Sequence, residues 1–161
     1  MGLESHAVGE RPTEERVYAM AAELLGLKGR KAHLQSPLEV PEFLRDRLKG
    51  KALSNLRRHC QILRMDKAVE PALGMSLRTV QRLEADKAKP LSPRQSSRAW
   101  KVAEIVARAT PVFGSQAAAE KWLDEPARAL GGRKPIELLP TQPGTQLVKD
   151  LLEQLDRGVY V

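Results

Sequence analysis

The chain has 161 residues, enough for one domain or two small ones around a real apolar core. With 42% hydrophobic and 29% charged residues it reads as folded and soluble. No apolar run is long enough to span a membrane, and a lone cysteine, Cys60, excludes an internal disulfide and a thiolate metal cluster. The formal net charge of +7 is unevenly placed: residues 1–30 carry a net of −1, residues 31–90 a net of +6, and residues 91–161 a net of +2. The middle third therefore calls for a polyanionic partner.

The opening "MGLESHAVGERPTEER" lacks the basic-then-apolar order of a signal peptide, and His6 stands where a myristoylation motif wants Ser or Thr, so cytoplasmic residence is expected. Val17, Met20, Ala21, Leu24 and Leu25 then fall at helical spacing, with Gly26 or Gly29 as the stop. After a proline-broken stretch, Pro41 is placed to open a helix carrying Phe43, Leu44 and Leu48. Ser54 is the expected cap of a helix with Leu56, Cys60 and Leu63 on one side.

"RMDKAVEPALGMSLRTVQRLE" reads as two short helices with a corner between them. Asp66 caps the first, Gly74 ends it in the left-handed conformation, and Ser76 caps the second. On a helical wheel Leu77, Val80 and Leu83 centre on one side, while Arg78, Gln81 and Arg82 centre nearly opposite, with Thr79 at the margin. Such a corner is the form of a helix-turn-helix, and Arg and Gln are the side chains that make bidentate bonds to guanine and adenine. The candidate DNA-binding residues are Ser76, Arg78, Thr79, Gln81 and Arg82, with Arg57 and Arg58 from the basic run upstream as phosphate contacts. Pro71 deletes a backbone hydrogen bond inside the first helix, which implies either a helix that starts near Pro71 or a distorted corner.

"KAKPLSPRQ" breaks the pattern and is taken as the domain boundary. Beyond it, a long helix with Trp100, Ala103, Val106 and Ala107 inward is expected to end near Thr110-Pro111. Ser115 caps another that ends with Trp122 and Leu123, and Pro135 begins a short one. The closing helix carries Leu147, Val148, Leu151, Leu152 and Leu155 as an apolar stripe and stops at Gly158. No stretch reads as a strand. The expected fold is all-α: an N-terminal extension with one helix over 1–30, a helix-turn-helix domain over 31–90, and a small helical domain over 91–161.

An enzyme is not expected. His6, His33 and His59 are scattered, and adjacent His59 and Cys60 point apart on a helix, so no nucleophile has a base in reach. No acidic pair or ligand spacing suggests a metal or a cofactor. Gly131-Gly132 most simply turns the chain, and the apolar end Val159-Tyr160-Val161 suits either the last helix or a partner's pocket.

From "SPLEVPEFLRDRLKGKALSNL" through "LGMSLRTVQR" and "KPLSPRQSSRAWKVAEIVARATPVFG" to "AAAEKWLDEPARALGGRKPIELLPTQPGTQLVKDLLEQLDRGVY", the chain resembles the Xre/MbcA/ParS-type antitoxins of bacterial type II toxin–antitoxin operons. The resemblance implies a C-terminal domain that binds and silences a cognate toxin, often a RES-domain enzyme that consumes NAD. It also implies an N-terminal domain that binds operator DNA as a dimer and represses the operon. Carried over by position, Trp122, Leu123, Gly131, Gly132, Gly158, Val159 and Tyr160 fall on toxin-binding elements; Leu151, Leu155 and Val161 complete the expected toxin-binding set. The steric expectation is that the last helix docks on the toxin while the tail obstructs its cleft. The rival reading is a stand-alone helix-turn-helix regulator whose C-terminal domain dimerises or senses.

Overall fold

The computed structural model describes residues 13–28 and 33–158. Among them run eight α-helices: α1 (Glu14–Leu24), α2 (Val40–Arg47), α3 (Gly50–His59), α4 (Asp66–Leu73), α5 (Leu77–Ala85), α6 (Pro93–Phe113), α7 (Gln116–Leu123) and α8 (Gln142–Asp156). Short 3-10 turns link several of them, and the extended pairing amounts to two isolated bridges, Lys49 with Pro90 and Ala127 with Arg133. The fold is all-α, as the periodicity implies.

Local chemistry sets most helix starts. Thr13, Ser76, Ser92, Ser115 and Thr141 each accept a hydrogen bond from a backbone N–H of the first turn, and Ser92 forms a full capping box with Gln95. Ser54 does not act as a cap. The helix opens four residues earlier, because Gly50 N–H donates to the Lys89 carbonyl at 2.9 Å and Lys51 N–H to the Lys87 carbonyl at 3.1 Å. A distant strand of chain thus satisfies the orphan donors that a side chain would otherwise meet. Gly50 is required there: a Cβ would stand 2.0 Å from the Leu83 carbonyl oxygen.

Two prolines are absorbed rather than obeyed. Helix α4 starts at Asp66, five residues before Pro71, and still reaches Leu73. It was not shortened to begin at the proline. Helix α6 passes through Pro111 to Phe113 instead of ending near it, and terminates at Gly114 with φ 86°. The two extra residues let Phe113 stack on Trp122, ring centroids 5.1 Å apart, a contact that offsets part of the missing hydrogen bond.

Helix α6 is the hub, contacting α1, α2, α3, α4, α7 and α8. One apolar cluster extends from Val17 to Leu152, across the Pro90–Pro93 turn, with Tyr18, Leu53, Leu63, Leu73, Ile105, Leu123 and Leu139 all but sealed from solvent. Each such large side chain contributes about 1.5–3 kcal/mol on burial. Helix α1 belongs to this core: Tyr18 meets Trp100 at 5.9 Å, and Glu14 accepts two 2.7 Å hydrogen bonds from Arg108. In α8 the stripe is narrower than expected. Val148, Leu151 and Leu152 are buried and Leu155 half-buried, but Leu147 is 54% exposed.

Candidate functional site

The corner between α4 and α5 is held from both ends. Gly74 takes the left-handed conformation at φ 61°, and a Cβ there would meet the guanidinium of Arg98 at 2.6 Å. Arg98, reaching from α6, donates to the Gly74 carbonyl. Ser76 then caps α5: Thr79 N–H donates to its Oγ at 3.2 Å, and the two hydroxyls lie 2.9 Å apart. Val80 and Leu83 are buried and Leu77 packs against the core, so the opposite face of α5 must turn outward.

That outward face holds Ser76, Arg78, Gln81 and Arg82 exposed, with Thr79 half-buried. Arg78, Gln81 and Arg82 make no side-chain hydrogen bond or ion pair among the described residues. The one acid of α5, Glu84, is neutralised by Arg57 of α3, whose Nη1 lies 3.0 and 3.2 Å from the two carboxylate oxygens. Arg57 also donates from Nη2 to Asp66 at 3.1 Å and from Nε to the Leu63 carbonyl, and its side chain is only 16% exposed. It joins α3, α4 and α5 rather than standing free for phosphate, as its place in a basic run had suggested. Arg58 is exposed and bonds Asn55 Oδ1 at 2.8 Å.

Four cations that sequence spacing kept apart are gathered by the backbone bridge. Lys49 and Lys51 enter α3 hydrogen-bonded alongside Lys87 and Lys89, which leave α5, and all four are exposed. Nothing local in the sequence marks this pairing of residues 49–51 with 87–89.

The C-terminal half presents a second face. Trp122 is half-buried against Phe113, while Leu123 is sealed in the core beside Ala119. Leu151 is 6% exposed. Leu123 and Leu151 therefore pack in the core and offer almost no surface. Gly131 and Gly132 are exposed in a loop closed by the Ala127–Arg133 bridge, with Gly132 N–H donating to the Ala127 carbonyl at 2.9 Å. Gly158 ends α8 in the open, and Val159, Tyr160 and Val161 lie outside the described residues. The surface apolar group that the stripe did not single out is Leu147.

The two halves are joined by side-chain hydrogen bonds. Ile62 N–H donates to Glu120 Oε1 at 3.0 Å, and Gln116 Nε2 donates to the His59 carbonyl at 2.7 Å. Burial pushes the Glu120 carboxyl above its usual range, against the pull of these donors. Burial also drives the Cys60 thiol up to about 12, so it stays protonated and packs as an apolar group. No helix among the described residues is long and apolar enough to cross a membrane, and among them no three His, Cys, Asp or Glu side chains converge as a metal site.

Residues 108–158 match the family model of the antitoxin Xre/MbcA/ParS C-terminal toxin-binding domain. The chain is 31% identical over 153 residues to an antitoxin Xre of Pseudomonas putida, covering 89% of this chain and 95% of that one. It is 33% identical over 122 residues to a Prs ADP-ribosylating antitoxin of a Sphingobium species, covering 70% and 76%. Over 70 residues it is 33% identical to an antitoxin Xre of Yersinia enterocolitica, covering 43% and 47%. An all-α chain whose residues from the end of α6 through α8 fit the toxin-binding model, and which aligns over 89% of its length with an antitoxin Xre, belongs to the Xre/MbcA/ParS-type antitoxins.

Proposed function

We propose that this antitoxin silences an NAD-consuming toxin, of RES type, by docking α8 and the chain end over its substrate cleft, and that it represses its own operon as a dimer through α5. The observation that carries the DNA half is the outward face of α5. Arg78, Gln81 and Arg82 are exposed and uncommitted, and the only acid on that helix is held by Arg57. Such a face suits a major groove, with Arg78, Gln81 and Arg82 toward base edges, Ser76 and Thr79 toward a phosphate, and the lysines at 49, 51, 87 and 89 along the backbone.

For the toxin half, the support is the exposed Leu147 on α8 together with half-buried Trp122 and the open Gly131-Gly132 loop, all within the toxin-binding domain. The name of the Sphingobium relative refers to ADP-ribosylation, a transfer that draws its ADP-ribose from NAD. That chemistry fits a toxin whose substrate cleft an antitoxin can stop physically.

The test is co-expression with the neighbouring toxin gene. The full chain should co-purify with the toxin and keep cellular NAD from falling, and the complex should shift a promoter fragment. Deleting residues 158–161 should abolish protection and leave the promoter shift intact. A truncated chain that still protects cells would rule out the steric mechanism.

A further inference from the structure

A cleft of about 540 Å³ opens between α1, the start of α2, α6 and α8. Its volume lies within the range of small-molecule sites, about 300–1,000 Å³. Its lining is largely apolar: Trp100 and Tyr18 meet Pro41, Leu44, Val40 and Pro93 around it. Trp100 is fixed there by Tyr18 and by the edge of Phe43 at 5.7 Å, and with 3% exposure only a margin of its ring reaches the cleft.

The electrostatics of the lining are lopsided. Four cations, Arg45, Lys101, Arg108 and Lys149, face two carboxylates, Glu14 and Glu104. Both carboxylates are already engaged. Arg108 bonds Glu14 and Glu104 at 2.7 Å each, and Lys149 Nζ is 3.2 Å from Glu104. Arg45 and Lys101 make no hydrogen bond or ion pair among the described residues. Lys101 is half-buried, and burial together with Arg98 and Lys149 disfavours its charge. An anion beside it would relieve both effects.

We propose that this cleft binds a small aromatic monoanion, its ring in the slot formed by Trp100 and the prolines and its acid group on Lys101 and Arg45. Neutral aromatics lack the acid, and inorganic anions lack the body that fills an apolar slot. The anion contacts, Arg45 and Lys101, lie on α2 and α6 and belong to neither proposed face, although Gln142, Thr145 and Lys149 of α8 close the cleft on one side.

The test uses 2-naphthoate against its neutral amide, 2-naphthamide, with the full chain carrying Trp122→Phe so that Trp100 is its one tryptophan. Naphthoate should quench Trp100 saturably at one site per chain and raise the thermal midpoint, because a ligand of the folded state stabilises it. Lys101→Met, which keeps the aliphatic stem, should weaken binding at least tenfold, and Lys121→Met on α7 should leave it unchanged. Ser97→Leu, which narrows the cleft, should weaken naphthoate with helical content preserved. Non-saturable quenching, equal affinity for the amide, or no effect of Lys101→Met would overturn the assignment.

Discussion

Arg57 and Glu84 bind one another across α3 and α5 through a single guanidinium nitrogen, with side chains only 16% and 19% exposed. The pair locks α5 to the core and removes the only negative charge from the face of α5. Arg57→Met should leave Glu84 desolvated and unpartnered, at a cost of about 2–3 kcal/mol, somewhat under that of a fully buried pair. Adding Glu84→Gln should recover most of it, as read in urea unfolding of the single and double variants. A single variant as stable as the parent would show the pair to be incidental.

On the DNA face, Arg78→Gln and Arg82→Gln are each expected to weaken operator binding by about 1–3 kcal/mol and to relax specificity. Lys87→Gln and Lys89→Gln should instead weaken all duplexes alike and lower the salt slope by about one per lysine. Fluorescence anisotropy with operator and scrambled DNA across a salt series distinguishes the two. Unchanged occupancy in the double arginine variant would remove α5 from DNA recognition.

Leu147 and Leu151 sit four residues apart on α8 and should behave oppositely. Leu147→Asp, on the exposed side, should release the toxin and leave thermal unfolding within about 0.5 kcal/mol of the parent. Leu151→Ala, on the buried side, should cost about 2–5 kcal/mol of stability. Toxin pull-down beside calorimetry checks both, and toxin bound normally by Leu147→Asp would move the docking surface elsewhere.

Acid should separate the Glu14 contact from the rest. Its hydrogen bonds from Arg108 hold the carboxyl down at about 2, against an ordinary value of 4.5. The folded value lies below the unfolded one, so the contact adds stability at neutral pH and loses it as pH falls from 4.5 toward 2. With a side chain 46% exposed, solvent screening limits the gain to about 1 kcal/mol. Glu14→Gln should therefore unfold more easily near neutrality, and the gap should close in acid. A gap that widened in acid would contradict the assignment.

Glu120 carries the opposite sign. Burial raises its carboxyl, so the ionised form opposes folding above that raised value and the protonated form does not. Glu120→Gln keeps an acceptor for Ile62 N–H and should be at least as stable as the parent near neutrality. Glu120→Ala strands that N–H and should cost about 1–3 kcal/mol. Comparing the two by denaturant unfolding tests whether the oxygen or the charge joins the halves.

What the sequence by itself determined is written in short-range chemistry. Ser76 and Ser115 cap helices because a hydroxyl one residue before a turn meets an N–H three residues on. Val80 and Leu83 face inward because helical spacing leaves them nowhere else to go. The ordered Trp-Leu, Gly-Gly and Pro-hydrophobic-Glu-Leu-Leu elements carried the family.

Tertiary structure decided whatever depended on a partner far along the chain. Lys87 and Lys89 supply the carbonyls that start α3, which made Ser54 redundant as a cap and drew four lysines together. Arg57 was spent on Glu84 and Asp66, a use that no local run of basic residues discloses. Pro71 and Pro111 did not stop their helices. Leu123 and Leu151 turned inward while Leu147 turned out, because α7 and α8 each bury only the sector that α6 and the preceding loop cover. Spacing along one helix gives the width of its apolar face; only the neighbours fix where that face ends.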